Sequence, residues 1–233
     1  MLQDIVGSAG GVAVTGGICR FGSRTEEIMC GIVGYNGARP VTDFLLDALE
    51  LLEYRGYDSA GLATINAETG RTKLRKCAGR VADLRKVCEN DKKQATCGIG
   101  HTRWATHGGV SDENAHPHRQ GNVLLVHNGI VENYEELRDH FMLSKDLKSE
   151  TDTEVVAGVL NRYYDGDPHK AIAQTVKHLK GTFALVIIFD DIPDVIYAIR
   201  NVSPIVAART EDGTMLASDV AALGSHATEY MVV

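Results

Sequence analysis

The chain has 233 residues, of which 44% are hydrophobic and 24% are charged, so it can bury the core of one large domain or two small ones. Its formal net charge of -7, with no run of Lys or Arg, argues against a nucleic-acid partner. Five cysteines without a CxxC pair indicate a reducing compartment, and no apolar run approaches the roughly 20 residues that span a bilayer. We therefore expect a cytoplasmic protein with no membrane partner, which acts on small molecules or on other proteins.

Residues 1–29 differ in composition from the rest of the chain. They include the Gly-rich stretch "SAGGVAVTGG", and Asp4 stands where a secretory signal would carry positive charge. No helical or strand period runs through them, which favours disorder or a misassigned translation start. We expect 1–29 to be an extension and 30–233 to be one domain.

Strand and helix patterns follow one another from Cys30 onwards. Strands are predicted at 30–36, 60–66, 95–104, 122–131, 182–191, 194–201, 203–210 and 214–219, with another beginning at 230. Helices are predicted at 40–55, 80–90, 133–142, 152–163 and 169–179, and Thr151 or Asp152 is expected to cap the fourth. Several strands are apolar on nearly every residue, so both of their faces should be covered in a layered arrangement of helices and sheets. Strands and helices do not alternate strictly, which disfavours a purely parallel sheet.

Cys30 follows Met29 directly, in the stretch "EEIMCGIVGYNG". A cysteine in a buried strand is most often a small hydrophobic residue. If translation begins at Met29, however, removal of the methionine would give Cys30 both a thiol and a free α-amine. The amine pKa is roughly 7.7 to 8.0, so one residue could supply both a nucleophile and its general base.

The segment "HTRWATHGGVSDENAHPHR" is rich in groups that bind ligands. Trp104 is costly to expose, and the adjacent Arg103 offers a planar bidentate partner for a carboxylate. His116 and His118 have the spacing of a metal-binding pair, but no third ligand is evident, so we expect no metal. A carboxylate-binding loop is the favoured interpretation.

Two further positions each allow a structural and a functional interpretation. Asn128-Gly129 is a strong turn signal, but it also offers a side-chain amide and an unobstructed backbone N–H, the two kinds of donor that an oxyanion hole needs. Asp152 in "SETDTEV" could cap a helix or bind an ammonium group. The sequence pattern alone does not separate these uses.

Taken together, the motifs resemble one family. In chain order they are "MCGIVGY", "LEYRGYDSAGLA", "GIGHTRWATHG", "NAHPH", "VHNGIVENYEELR", "SETDTEV" and "ASDV". The ordered set resembles the glutaminase half of the glutamine-fructose-6-phosphate aminotransferases. Amidophosphoribosyltransferase and asparagine synthetase share this type of glutaminase but differ around "RGYDSAG", "HTRWATHG" and "SETDTEV". The resemblance implies an α+β fold, the N-terminal-nucleophile (Ntn) hydrolase four-layer αββα sandwich, with two antiparallel sheets between helix layers.

The resemblance also implies a role for each matching residue. Cys30 would attack the side-chain amide of L-glutamine while its own α-amine relays the proton, and Asn128 and Gly129 would form the oxyanion hole. Arg103 would hold the substrate carboxylate and Asp152 the α-ammonium group. No cofactor is implied.

The remaining implied site positions surround the pocket. They are Trp104, Thr106 and His107, on a loop that closes over the substrate, and Arg55 and Gly56, which frame the cysteine.

The chain departs from the family pattern at both ends. The isomerase domains of the family are absent, so fructose 6-phosphate would bind only through that missing part. The same missing part would form most of the interface of the homodimer that the family leads us to expect. While residues 1–29 remain attached, Cys30 has an amide instead of an amine, and we expect the full-length form to be inactive. Two alternatives remain open, a non-catalytic module that binds glutamine and a fragment of a purine-pathway amidotransferase.

Overall fold

The computed structural model describes residues 3–6, 11–15, 30–66, 68–91, 94–105, 108–227 and 229–233. The strands in chain order are β1 (Gln3–Val6), β2 (Gly11–Thr15), β3 (Gly31–Gly37), β4 (Ser59–Ile65), β5 (Thr72–Ala78), β6 (Cys97–Arg103), β7 (His118–Gln120), β8 (Val123–Val131), β9 (Gly181–Phe189), β10 (Ile192–Asn201), β11 (Val206–Thr210), β12 (Gly213–Ala217) and β13 (Tyr230–Val232). In this part of the chain they form two sheets, with strand orders β1-β2-β10-β9-β8-β7 and β13-β11-β12-β3-β6-β4-β5.

The helices cover the outer faces of both sheets. They are α1 (Val41–Glu50), α2 (Val81–Cys88), α3 (Tyr134–His140), α4 (Asp152–Tyr163) and α5 (Pro168–Val176), with short 3-10 helices at Glu53–Arg55 and Val220–Leu223. α4 begins where the Thr151 side chain accepts a hydrogen bond from the Glu154 N–H, so Thr151 and not Asp152 is the cap. α5 begins at Pro168, one residue before the predicted start at 169.

Three apolar cores hold the layers together. The inner core fills the space between the sheets and includes Ile32, Ile99 and Val186. One outer core packs the seven-stranded sheet against α1 and α2, and the other packs the six-stranded sheet against α4 and α5. The result is the four-layer αββα sandwich that the resemblance implies.

Parts of the sheets differ from the sequence predictions. β5 was not predicted, because its Lys73 and Arg75 break the apolar pattern; both side chains reach Asp91 at 2.9 Å along this sheet edge. The pairing of β2 with β10 is parallel, whereas the other pairings between described strands are antiparallel.

The N-terminal segment is only partly described. The sequence predicts disorder for 1–29, but 3–6 and 11–15 form the strands β1 and β2 at one edge of the six-stranded sheet. The rest of 1–29 lies outside the described residues, and the domain boundary at Cys30 stays a prediction.

Among the helices that the structure describes, none is long and apolar enough to cross a lipid bilayer.

Candidate active site

Cys30 lies directly before β3, beside the end of β6. The Trp104 backbone N–H donates to the Cys30 Sγ at 3.3 Å, and this Sγ is 3.7 Å from the Trp104 carbonyl oxygen. The Cys30 carbonyl oxygen accepts from Arg55 Nε at 2.9 Å and from Asn128 Nδ2 at 3.0 Å. The main chain and the thiol of Cys30 are therefore both held by neighbouring strands and loops.

The position after Cys30 requires glycine for a steric reason. A Cβ atom on Gly31 would lie 2.6 Å from Thr102 Oγ1 and 2.7 Å from the Leu52 Cβ. Because β3 pairs with β6 at this point, a larger residue would displace the backbone that carries the thiol.

The surroundings of Cys30 set the protonation state of its thiol. Burial raises the pKa of the Cys30 thiol, and the nearby Asp152 charge acts in the same direction. The Trp104 backbone hydrogen bond and the positive charges of Arg103 and Arg55 lower the same pKa. Since burial prevails, the thiol is protonated at neutral pH and needs a base to become a nucleophile.

Asn128 and Gly129 lie within β8, opposite Ala184 and Phe183 of β9. The turn interpretation of Asn-Gly is therefore wrong. Gly129 has φ +118°, and a Cβ atom there would be 2.1 Å from the Thr182 carbonyl oxygen, so this strand position requires glycine. Asn128 is buried and directs its side-chain amide at Cys30.

Arg103 and Asp152 place opposite charges near the thiol. Arg103 is the buried last residue of β6, and its guanidinium donates to the carbonyls of Gly109 at 3.2 Å and Gly108 at 3.4 Å. Asp152 is the buried first residue of α4 and accepts from the Val131 N–H at 2.9 Å. The structure therefore brings a thiol, a cation and an anion close enough for the charges of Arg103 and Asp152 to shift the pKa of the thiol.

The loop after Arg103 is held by hydrogen bonds from Asn114 and Glu150, which the sequence analysis did not select. Asn114 Nδ2 donates to the Gly109 carbonyl at 3.0 Å and to Glu150 Oε2 at 3.2 Å, and Asn114 Oδ1 accepts from the Glu150 N–H at 2.9 Å. Both residues belong to quoted motifs, "NAHPH" and "SETDTEV", which was the available signal.

Trp104, which contacts Cys30, is partly exposed and lies against a second aromatic residue. Trp104 is 38% exposed and meets Tyr57 edge to face, with ring centroids 5.6 Å apart. Thr106 and His107, predicted to lie on the closing loop, are outside the described residues, and their placement stays a prediction.

Arg55 and Gly56 differ in how they relate to the cysteine. Arg55 contacts the Cys30 carbonyl and is oriented by Asp219, whose carboxylate lies 2.7 Å from Arg55 Nη1 and also accepts from the Tyr54 hydroxyl at 2.9 Å. Gly56 ends the short helix Glu53–Arg55 with an extended backbone and donates its N–H to the Glu53 carbonyl. Asp219, in "ASDV", is a further site-supporting residue that the sequence analysis did not select.

Four buried histidines lie behind the site, namely His101, His116, His118 and His127. The rings of His101 and His116 are 4.2 Å apart, and those of His116 and His118 are 4.8 Å apart. Burial lowers the pKa of His101 to about 3 and the pKa values of His116 and His118 well below the usual 6.5. Among the described residues, no group of three or more His, Cys, Asp or Glu side chains has the arrangement of a metal site.

This sandwich brings together a thiol directly before a strand, an amide donor and a pair of buried side chains of opposite charge, groups that suit acyl transfer. The glutamine amidotransferase domain family matches residues 101–225, and the chain belongs to this family.

The more particular similarity is to one kind of glutamine-dependent enzyme. The chain is 43% identical over 209 residues to the glutamine–fructose-6-phosphate aminotransferase (isomerizing) of Clostridium acetobutylicum, covering 88% of this chain and 34% of that protein. It is 46% identical over 208 residues to the enzyme of the same name from Symbiobacterium thermophilum, with the same shares covered. The chain thus spans about a third of the length of these relatives.

Solved structures support the fold. The glutamine phosphoribosylpyrophosphate amidotransferase of B. subtilis, complexed with ADP and GMP, superimposes with a TM-score of 0.72 at 23% identity, covering 87% of this chain and 44% of that one. A structure described as the allosteric regulatory enzyme of purine biosynthesis gives a TM-score of 0.73 at 24% identity, with the same coverage. At these identities the likeness shows the fold alone, and it confirms the predicted Ntn sandwich.

Proposed function

We propose that the chain hydrolyses the side-chain amide of L-glutamine and releases ammonia, with Cys30 as the nucleophile. One observation carries the proposal: the Trp104 N–H contacts the Cys30 thiol and the Asn128 amide contacts the Cys30 carbonyl, beside the charges of Arg103 and Asp152. Each of these groups has a use in acyl transfer from an α-amino acid.

The first chemical step requires a base. Once residues 1–29 are removed, the α-amine of Cys30 takes the thiol proton, and Sγ attacks the carboxamide carbon of glutamine. The negative charge that develops on the amide oxygen is stabilised by the Gly129 N–H and by Asn128. The Asn128 amide carries two hydrogens, and only one is needed for its bond to the Cys30 carbonyl.

Collapse of this intermediate breaks the C–N bond. The amine of Cys30 returns its proton to the leaving nitrogen, ammonia departs, and a thioester remains on Sγ. A water molecule then attacks the thioester carbon, the C–S bond breaks, and glutamate and the free thiol are regenerated.

Recognition of free glutamine follows from the two charges. Arg103 pairs with the α-carboxylate and Asp152 with the α-ammonium group, while Trp104, Thr106 and His107 close over the substrate, and Gly56 shapes the turn next to Arg55. A simple amide has neither an α-carboxylate nor an α-ammonium group and cannot form these two ion pairs, so free glutamine is strongly preferred.

The whole-enzyme role follows the relatives. We extend the proposal to a cytoplasmic, homodimeric enzyme of the glutamine-fructose-6-phosphate aminotransferase type, which uses this ammonia to make glucosamine 6-phosphate for the hexosamine pathway. Fructose 6-phosphate would bind to an isomerase part outside the third of the relatives that this chain matches.

The experiment compares the full chain before and after removal of its first 29 residues. A site for a sequence-specific protease, placed at residues 26–29, lets the chain fold first and then be cut directly before Cys30. We expect glutamate and ammonia to form from glutamine only after the cut, and not in a Cys30→Ala chain.

Equal activity in the uncut chain, with intact mass proving that it is uncut, would refute the role of the amine. No activity after the cut, together with glutamine binding that survives in Cys30→Ala, would favour the non-catalytic glutamine-binding module.

A further inference from the structure

The carboxamide of Asn128 can adopt two orientations that differ by a 180° flip. In one of them the NH2 group faces Cys30, and in the other the carbonyl oxygen does. Only the orientation with NH2 toward Cys30 can donate a hydrogen bond to an oxyanion, so neighbouring groups must select that orientation. The bond from Asn128 Nδ2 to the Cys30 carbonyl favours the first orientation at one end of the amide.

His101 acts at the other end of the same amide. Its Nε2 is 3.0 Å from the His127 carbonyl oxygen and 3.1 Å from Asn128 Oδ1. The His127 carbonyl can only accept a hydrogen bond, so His101 Nε2 must carry the proton. A protonated Nε2 requires an acceptor on Asn128, which places Oδ1 toward His101 and Nδ2 toward Cys30.

The state of the His101 ring is fixed by its surroundings. The ring is buried on β6 and packs against the His116 ring at 4.2 Å, which restricts its rotation. Its Nδ1 is buried and has no hydrogen-bond partner among the described residues, so a proton there would be unsatisfied. Burial also lowers the pKa of His101 to about 3, so the neutral Nε2-protonated ring persists over the working pH range.

We propose that His101 is a positioning residue of the oxyanion hole, whose Nε2–H holds the Asn128 carboxamide in the orientation that donates to the reacting oxygen. This inference rests on the proposed glutaminase function and adds a residue to it. His101 does not touch the substrate; it acts through Asn128.

A double-mutant cycle tests this action through Asn128. The cut chain is compared as wild type, His101→Phe, His101→Gln, Asn128→Ala and the double variant His101→Phe/Asn128→Ala, by ammonia release under glutamine saturation. Loss of an oxyanion-hole donor lowers kcat by about 100-fold to 1000-fold, which bounds the effect of misorienting it. We expect His101→Phe to lower kcat by about tenfold with little change in KM, because the amide is no longer held at both ends.

Two comparisons distinguish positioning from a general structural role. His101→Gln keeps an N–H donor near the Nε2 position and should restore most of kcat. In the Asn128→Ala background, His101→Phe should have almost no further effect on kcat. Ile99→Val is the matched control, since Ile99 belongs to the inner core and lies two residues before His101 on the same strand.

The outcomes separate the two proposals. If His101→Phe lowers kcat by the same factor with and without Asn128, or if His101→Gln is as damaging as His101→Phe, the inference is overturned. If the cut wild-type chain releases no ammonia, the proposed function fails. In that case the ¹⁵N spectrum of labelled histidine in the full chain decides the inference: an Nε2-protonated neutral His101 supports it, and an Nδ1-protonated ring overturns it.

Discussion

Moderate acid should destabilise this fold at a pH where carboxylates still remain charged. His101, His116 and His118 are buried and neutral in the folded chain, and burial lowers the pKa of each. In the unfolded chain the histidine pKa is about 6.5. Between these values the unfolded chain binds more protons, so the free energy of unfolding falls as the pH drops through about 6.5 and continues to fall toward the folded pKa.

The size of the effect follows from the shift of His101. With a folded pKa of about 3, this residue is still neutral in the fold at about pH 5. The unfolded chain gains about 2 kcal/mol from protonating it there, and His116 and His118 add to this loss because burial lowers their pKa values as well. Domains are typically stable by about 5 to 15 kcal/mol, so the loss should remove a measurable share of the stability.

Urea denaturation followed by circular dichroism between about pH 8 and pH 5 measures this loss. Near pH 5 His101 alone should contribute about 1.4 kcal/mol per pH unit to the slope, and His118→Gln should make the total slope shallower. The Gln side chain can keep a hydrogen bond to Thr151 Oγ1, which His118 Nε2 now makes at 3.1 Å. The slope should persist in high salt, because desolvation and not long-range charge causes it.

A free energy of unfolding that stays level or rises as the pH falls from about 7.5 to 5 would show that these imidazoles are not neutral and buried as described. An unchanged slope in His118→Gln would remove that residue from the argument.

Three further predictions concern the active site. Gly129→Ala should lower the melting temperature and abolish glutamine hydrolysis, because φ is +118° and the new Cβ would lie 2.1 Å from the Thr182 carbonyl; a stable and active variant would show that the strand can shift. Arg103→Lys should raise KM for glutamine by about tenfold or more with a smaller effect on kcat, since Lys cannot bind a carboxylate in a bidentate way; steady-state kinetics that show the reverse would contradict a binding role. Alkylation of Cys30 in the uncut chain should be slow near neutral pH and faster in alkaline solution, because burial raises the pKa of its thiol; peptide mass spectrometry that finds rapid labelling at neutral pH would contradict this.

The strands after Cys30 were predictable where burial on both faces makes them apolar throughout, as in β9 with "GTFALVIIF". β5 escaped detection because most of its side chains are only partly buried at a sheet edge, where Lys73 and Arg75 bind Asp91. The turn interpretation of Asn128-Gly129, one of the two that its pattern allowed, is wrong for a different reason. Pairing with β9 on both sides of this dipeptide outweighs its local preference, and glycine serves the strand instead of a hairpin.

Motif resemblance selected the residues that surround the thiol, but it could not show how they are held. The contact between His101 and Asn128 joins two sheets, and the contact between Arg55 and Asp219 joins segments 164 residues apart. No local sequence pattern indicates that the residues of either pair come into contact. The partner of each side chain is set by the packing of the two sheets, which only the three-dimensional structure reveals.

The two hydrogen bonds to the Cys30 carbonyl have a consequence for maturation of the chain. Arg55 and Asn128 donate hydrogen bonds to the carbonyl oxygen of Cys30, in the peptide group that follows its α-carbon. Removal of residues 1–29, the proposed maturation, would alter only the nitrogen that precedes this α-carbon. The anchor of the nucleophile is therefore chemically independent of whatever occupies its amino side. Cutting before Cys30 would change the basicity of that nitrogen without requiring the sulfur to move, so maturation could switch on a base in a site that is already assembled.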